Sequence, residues 1–274
     1  MSCRYFVAAI AVVSVACGGP ASSTKPAPPA AAAPEWHYEG AEGPEHWGKL
    51  SAAFATCGEG RNQSPIDLAN AQSATTEELR AHFPLADLRV AHHEHVADGI
   101  NNGHTIQINY PDSETLNVGG VAYQLAQYHF HGPSEHTVEG KHFPMEMHLV
   151  HKSAGDQLAV VGVLIAEGGH NAAFDPVWAN LPAQKGVETH YPKVKVDVDA
   201  LLPAGRTSYR YDGSLTTPPC SEGVSWIVMA SPIELSTEQI AAFTHVIKDN
   251  SRPVQNLNGR TILTDAVSVV AADR

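Results

Sequence analysis

Gln127-Tyr128-His129-Phe130-His131 alternates polar and aromatic side chains. On an extended strand successive side chains point to opposite faces. Gln127, His129 and His131 therefore share one face, and Tyr128 and Phe130 share the other. Glu146-Met147-His148-Leu149-Val150 repeats the pattern, with Glu146, His148 and Val150 on one face and Met147 and Leu149 on the other. If the two strands are neighbours, His129, His131 and His148 converge. Three imidazoles with an open fourth position make the ligand set of a catalytic zinc site. Each ligating ring also needs a partner on its outer nitrogen. Gln127 and Glu146 stand two residues before His129 and His148, on the matching faces. His131 has no such neighbour and is expected to use a backbone carbonyl. A bare His-x-His is more often a surface or structural pair. Same-face polar partners and a third histidine on a similar strand set this one apart.

Further strand patterns occur at Thr105–Tyr110, Tyr123–His131, Pro144–His151, Leu158–Ile165, Val194–Val198, Ser208–Tyr211 and Val224–Ser231. They are short, β-rich and bounded by Gly, Pro, Asn or Asp. Helices are few. The best begins at Ser236, where Gln239 three residues on completes a capping box, and Ile240, Phe243 and Ile247 form its apolar stripe. Residues 172–180 read as a second helix, weakened by Pro176. The pattern is mainly β, with one large antiparallel or mixed sheet. From residue 35 to residue 274 there is no repeat and no second linker, so this is one folded domain.

The chain has 274 residues, 43% hydrophobic and 17% charged, with a formal charge of -12. The acidic balance argues against a nucleic-acid partner and fits a small substrate. Residues 1–17 read as an export signal: Arg4 is the only charged side chain, and Phe6 to Val15 form an apolar core too short to span a bilayer. Val15-Ala16-Cys17-Gly18 resembles a bacterial lipoprotein cleavage site, which makes Cys17 a candidate lipid anchor; ordinary cleavage nearby is the alternative. Residues 18–34 are almost wholly Ala, Pro, Gly, Ser and Thr, an extended linker. Of four cysteines, Cys3 leaves with the signal, and Cys57 and Cys220 remain. In an exported protein that pair suggests a disulfide, with two buried thiols as the alternative. The expected location is extracytoplasmic: periplasm or envelope with the anchor, secreted without it.

Seven ordered motifs carry a resemblance: Gly43-Pro44-Glu45-His46-Trp47, Asn62-Gln63-Ser64-Pro65-Ile66, Asn102-Gly103-His104, Phe130-His131, Ser134-Glu135-His136-Thr137-Val138, Glu146 to His151, and Ser214-Leu215-Thr216-Thr217-Pro218-Pro219. Together they resemble the α-class carbonic anhydrases, from Trp36 to Arg260. The short connection His131-Gly132-Pro133-Ser134-Glu135 looks like the bacterial branch. The three-histidine pattern above is one that carbonic anhydrases themselves define.

The resemblance implies a single, mainly β domain: a central, twisted, mostly antiparallel sheet of about ten strands, few short surface helices, and zinc at the base of a conical cleft. It puts zinc on His129, His131 and His148. Thr216 looks like the gatekeeper threonine that orients the attacking hydroxide and donates its own proton to Glu135. His104 aligns with the proton shuttle, an imidazole that passes protons to buffer. Tyr38, Asn102 and Gln107 resemble the holders of the water chain between them. Val150, Val160, Leu215, Val224 and Trp226 align with the apolar wall for carbon dioxide, with Thr217 at the substrate side. Asn250 and Arg252 resemble a pair beneath the site, and the Asn250 carbonyl is the candidate partner of His131. Cys57 and Cys220 sit where exported members carry a disulfide, which would brace the Thr216–Thr217 loop. His92-His93-Glu94-His95 matches no catalytic motif and reads as a solvated loop. Tyr209 stands where many members have Trp, a packing change.

The implied function is reversible hydration of carbon dioxide to bicarbonate and a proton, with Zn(2+) as cofactor and sulfonamides and anions as inhibitors. A dimer is compatible with this reading. Two rivals are a silent binding module on the envelope and a zinc esterase. The first would be expected to lack ligand histidines. The second would need a polar recognition surface that the sequence does not show.

Overall fold

The structure is a computed structural model that describes residues 34–74, 98–109, 115–118, 121–182, 184–186, 188–190 and 196–264. The export signal, Cys17, most of the linker and the His92-His93-Glu94-His95 cluster lie outside these residues.

Fourteen strands are present among the described residues. In chain order they are β1 (Gln72–Ser73), β2 (Asp98–Asn101), β3 (Ile106–Asn109), β4 (Thr115–Val118), β5 (Val121–His131), β6 (Thr137–Val138), β7 (Lys141–His142), β8 (Met145–Ser153), β9 (Leu158–Glu167), β10 (Glu188–His190), β11 (Ser208–Ser214), β12 (Glu222–Met229), β13 (Ile233–Leu235) and β14 (Leu263–Thr264). One path runs β1-β14-β11-β12-β9-β8-β5-β3-β2-β10, with β13 added to β9 and β4 to β5. Pairing is antiparallel except at β1–β14, β12–β9 and β13–β9. The mainly β, mostly antiparallel expectation holds.

The two decisive strands are neighbours. In the β5–β8 register His129 lies opposite His148, His131 opposite Glu146, and Phe130 opposite Met147. The aromatic and aliphatic face is buried in the larger core, where Tyr128, Phe130, Met147 and Leu149 pack with Phe174 and Phe243. This burial is what fixes the sheet face: a one-residue slip would put Phe130 where His131 is and expose the core set.

Elsewhere the sequence reading needs corrections. Val196–Val198 is not a strand; it enters the short turn Asp199–Leu201. Val196 and Val198 alternate because both bury against the core, with no strand pairing among the described residues. Residues 191–195 lie outside the description. The helical stretch at 172–180 is a 3-10 turn, Ala172–Phe174, followed by Asp175–Trp178. Pro176 is in the first turn of that second piece, where its missing N–H costs nothing. The helix after Ser236 runs Thr237–Val246 with the expected capping box. Phe243 is its buried anchor, while Ile247 caps the end just outside it.

Cys57 and Cys220 form a disulfide across 163 residues. Cys220 holds a left-handed backbone, with φ of 56°. Its N–H donates to the Thr217 carbonyl at 2.8 Å, and its carbonyl accepts from Gln63 Nε2 at 3.1 Å. The disulfide thus ties the Thr216–Thr217 turn to the Thr56–Glu59 segment, and the Gln63 hydrogen bond ties it to Asn62–Ser64. Replacing both cysteines with serine is expected to cost about 4–5 kcal/mol of unfolding free energy on the chain-entropy account. Chemical denaturation checks this; an unshifted midpoint would refute it.

Candidate metal centre

Each of the three histidines has one ring nitrogen engaged behind it. His129 Nδ1 meets Gln127 Oε1 at 2.8 Å. His131 Nδ1 meets the Asn250 carbonyl at 2.7 Å. His148 Nε2 meets Glu146 Oε1 at 2.9 Å. One nitrogen from each ring lies within 4.8 Å of the others. A carbonyl or carboxylate on the outer nitrogen fixes the tautomer and turns the inner nitrogen's lone pair toward a metal.

The donor set fits zinc. His131 Nε2 is buried with no hydrogen-bond partner. Such an atom is costly unless something coordinates it. Burial, and then the neighbouring imidazoles His131 and His148, hold His129 well below its ordinary pKa. Burial likewise lowers His131. Both rings are therefore neutral, as ligation requires. For His148, burial pushes down, but the Glu146 carboxylate outweighs it and the net direction is up.

Glu146 does more than orient His148. Its Oε1 also meets His136 Nδ1 at 2.7 Å, and its Oε2 accepts the backbone N–H groups of Glu135 and His136 at 2.9 and 2.8 Å. Burial alone would raise this carboxyl, yet His136 and His148 hold it well below the usual range. His136 Nε2 reaches the Tyr211 hydroxyl at 2.6 Å, which donates to Ser64 Oγ at 2.9 Å. His136, Glu146 and His148 also cluster like metal ligands. Their mutual hydrogen bonds make them a buried polar network instead. Nothing in the local sequence around His136, Tyr211 or Ser64 marks them for this network.

Glu135 is fully buried. Its Oε1 accepts the Arg252 N–H at 2.9 Å, and its Oε2 lies 3.6 Å from His131 Nε2 and 3.9 Å from His148 Nδ1. Oε2 has no hydrogen-bond partner. The expected bond from Thr216 to Glu135 is thus not made in the structure: one oxygen is held by Arg252 and the other faces the imidazoles. Thr216 itself is buried, at the head of the turn closed by Leu215 N–H to the Ser221 carbonyl at 3.0 Å.

The apolar wall is a row across the sheet. Val150 lies opposite Val160, and Val160 opposite Trp226. Val224 and Leu215 join the same apolar cluster. The Trp226 ring stands 4.8 Å from that of His148, so the wall abuts the imidazole centre. Thr217 is half-buried in the adjoining turn. Arg252 lies beneath, donating to the Ser64 and Cys57 carbonyls at 2.7 and 2.9 Å.

His104 is half-buried and stacks on Trp36, with ring centroids 3.7 Å apart and planes 10° from parallel. Burial, then the Lys185 and His37 charges, push it down to about 4. Asn250 Nδ2 donates to its carbonyl at 2.9 Å. Asn102 Oδ1 accepts its N–H and that of Thr105, both at 2.9 Å, so this side chain shapes the turn under the ring. Gln107 pairs across from His129 on β3, with its amide tied to Asn109 at 2.6 Å. Tyr38 is half-buried, and burial pushes its phenol well above the ordinary value.

A mainly β sheet carrying three convergent, outer-bonded imidazoles beside an apolar wall defines a class: a β-sheet protein with a three-histidine metal centre. The chain belongs to the eukaryotic-type carbonic anhydrase family, whose family model matches residues 42–266. A carbonic anhydrase of Klebsiella pneumoniae is 45% identical over 238 residues, covering 84% of this chain and 91% of that one. One from Nostoc sp. is 43% identical, covering 88% and 90%. Among solved structures, the α-carbonic anhydrase of Thermovibrio ammonificans in complex with sulfanilamide is similar with TM-score 0.78 and 43% identity, over 84% of this chain and 99% of that one.

Proposed function

We propose that this protein is a zinc enzyme that interconverts carbon dioxide with bicarbonate and a proton, with the metal on His129, His131 and His148. The observation that carries this is the gathering of three ring nitrogens within 4.8 Å, each ring bonded behind. Zinc, when bound, supplies a Lewis acid that lowers the pKa of a water to about 7, a magnitude known for carbonic anhydrases themselves.

The remaining work falls to the chain. Gln127, Glu146 and Asn250 orient the ligand rings. Thr216 and Glu135 orient the nucleophile. Val150, Val160, Leu215, Val224 and Trp226, with Thr217, hold a substrate that offers little to hydrogen-bond. His104 takes up a proton, and Tyr38, Asn102 and Gln107 line its route. Sulfonamides and anions are the expected inhibitors; a related structure binds sulfanilamide.

Residues 1–17 serve as the export signal in this reading, Cys17 as the lipid attachment site and 18–34 as the tether, which places the domain from residue 35 on in the periplasm or envelope. The Cys57–Cys220 disulfide supports an oxidising compartment. Among the described residues no helix is long and apolar enough to cross a membrane.

Carbon dioxide hydration and ester cleavage, measured on one zinc-loaded preparation with and without sulfanilamide, test the proposal. Hydration that dominates and is inhibited supports it. Ester cleavage without hydration would favour a hydrolase instead.

A further inference from the structure

The rim of the cleft holds a second imidazole that the proposed chemistry leaves unused. The His37 ring lies 6.2 Å from that of His104, centroid to centroid, within reach of one bridging water. Both rings line a cleft of about 550 Å³, with Tyr38, Glu39, Lys248 and Asp249. The backbone at His37 is pinned: its N–H donates to the Glu42 carbonyl at 2.9 Å and its carbonyl accepts from Trp47 Nε1 at 2.9 Å. Its side chain is 42% exposed, open to buffer.

The charges around the pair differ from one side to the other. Lys185 lies against Gly103, where a Cβ would overlap its side chain. Its ammonium disfavours a proton on His104. Glu35 Oε1 lies 3.8 Å from His37 Nε2. Lys185 thus disfavours a resident proton on His104, while the His37 ring, on the same cleft, is open to solvent. Glu39 and Asp249 are further acidic groups on the cleft wall, and Lys248 a basic one.

We propose that His37 is a second proton-relay residue, which takes the proton from His104 and hands it to buffer at the cleft mouth; this rests on the hydration reading above. His104 binds the proton on its free nitrogen and releases its other ring proton toward His37, and a buffer base removes it from His37; a ring flip of His104 then restores its starting tautomer and closes the cycle.

The test is carbon dioxide hydration by the zinc-loaded parent and His37→Ala at low and high buffer, with NMR titration of His104 in both proteins. At low buffer kcat is expected to fall about tenfold in His37→Ala, while kcat/KM holds. Added imidazole buffer should restore kcat, and the His104 midpoint should move up once the neighbouring charge is gone. An unaltered kcat at low buffer, a matching fall in kcat/KM, no recovery with imidazole, or an unmoved His104 midpoint overturns the relay. An inactive parent overturns the hydration reading and the relay with it.

Discussion

His148→Ala is expected to lose zinc and carbon dioxide hydration together. Of the three proposed ligands His148 is the one on β8, and its Nε2 is fixed by Glu146 at 2.9 Å. Removing outer-shell partners alone typically costs 10–100-fold in metal affinity or activity. Removing a ligand should cost more, so activity is expected to fall by at least about 10³-fold. The substitution also takes one partner from a buried carboxylate, and that can weaken the fold. His129→Ala separates the two effects. His129 is half-buried, and its outer partner is the neutral Gln127. It should keep the far-ultraviolet circular dichroism of the parent and still lose zinc. Metal analysis of both variants checks this; a variant that keeps one zinc per chain removes that histidine from the ligand set.

Glu135→Gln is expected to keep zinc and lose rate. The Gln amide oxygen can still accept the Arg252 N–H that Oε1 accepts at 2.9 Å, so packing is preserved. What changes is Oε2, the buried oxygen facing His131 and His148. An NH₂ there can no longer accept a proton from Thr216 when the threonine turns to orient the nucleophile. Loss of one such positioning interaction costs about 10²–10³-fold in kcat. Thr216→Ala should fall by a similar factor, and the double variant by little more, because the two act as one unit. Full activity in Glu135→Gln would remove both residues from the mechanism.

The centre was legible wherever its logic is local. The period-two alternation at Gln127–His131 and Glu146–Val150 gave faces, partners and convergence, because a strand converts spacing of two directly into shared orientation. The partner of His131 is 119 residues away, and only the family resemblance pointed to Asn250. The His136–Tyr211–Ser64 chain was missed for the same reason: its links span 75 and 147 residues. The quoted motif Ser134–Val138 contained His136, but nothing adjacent marked it as buried. The environment of His104 was equally hidden, since Trp36 and Lys185 reach it from opposite directions along the chain. Short strands such as β1, β10 and β14 escaped because two or three residues carry no periodicity. Val196–Val198 misled because burial can alternate without pairing.

Stopped-flow carbon dioxide hydration on the zinc-loaded protein, with zinc counted on the same sample, asks whether the three-histidine centre is catalytic. One zinc per chain and fast hydration that sulfanilamide abolishes are the expected result. Bound zinc with no hydration above the uncatalysed rate would contradict it and turn attention to a binding role.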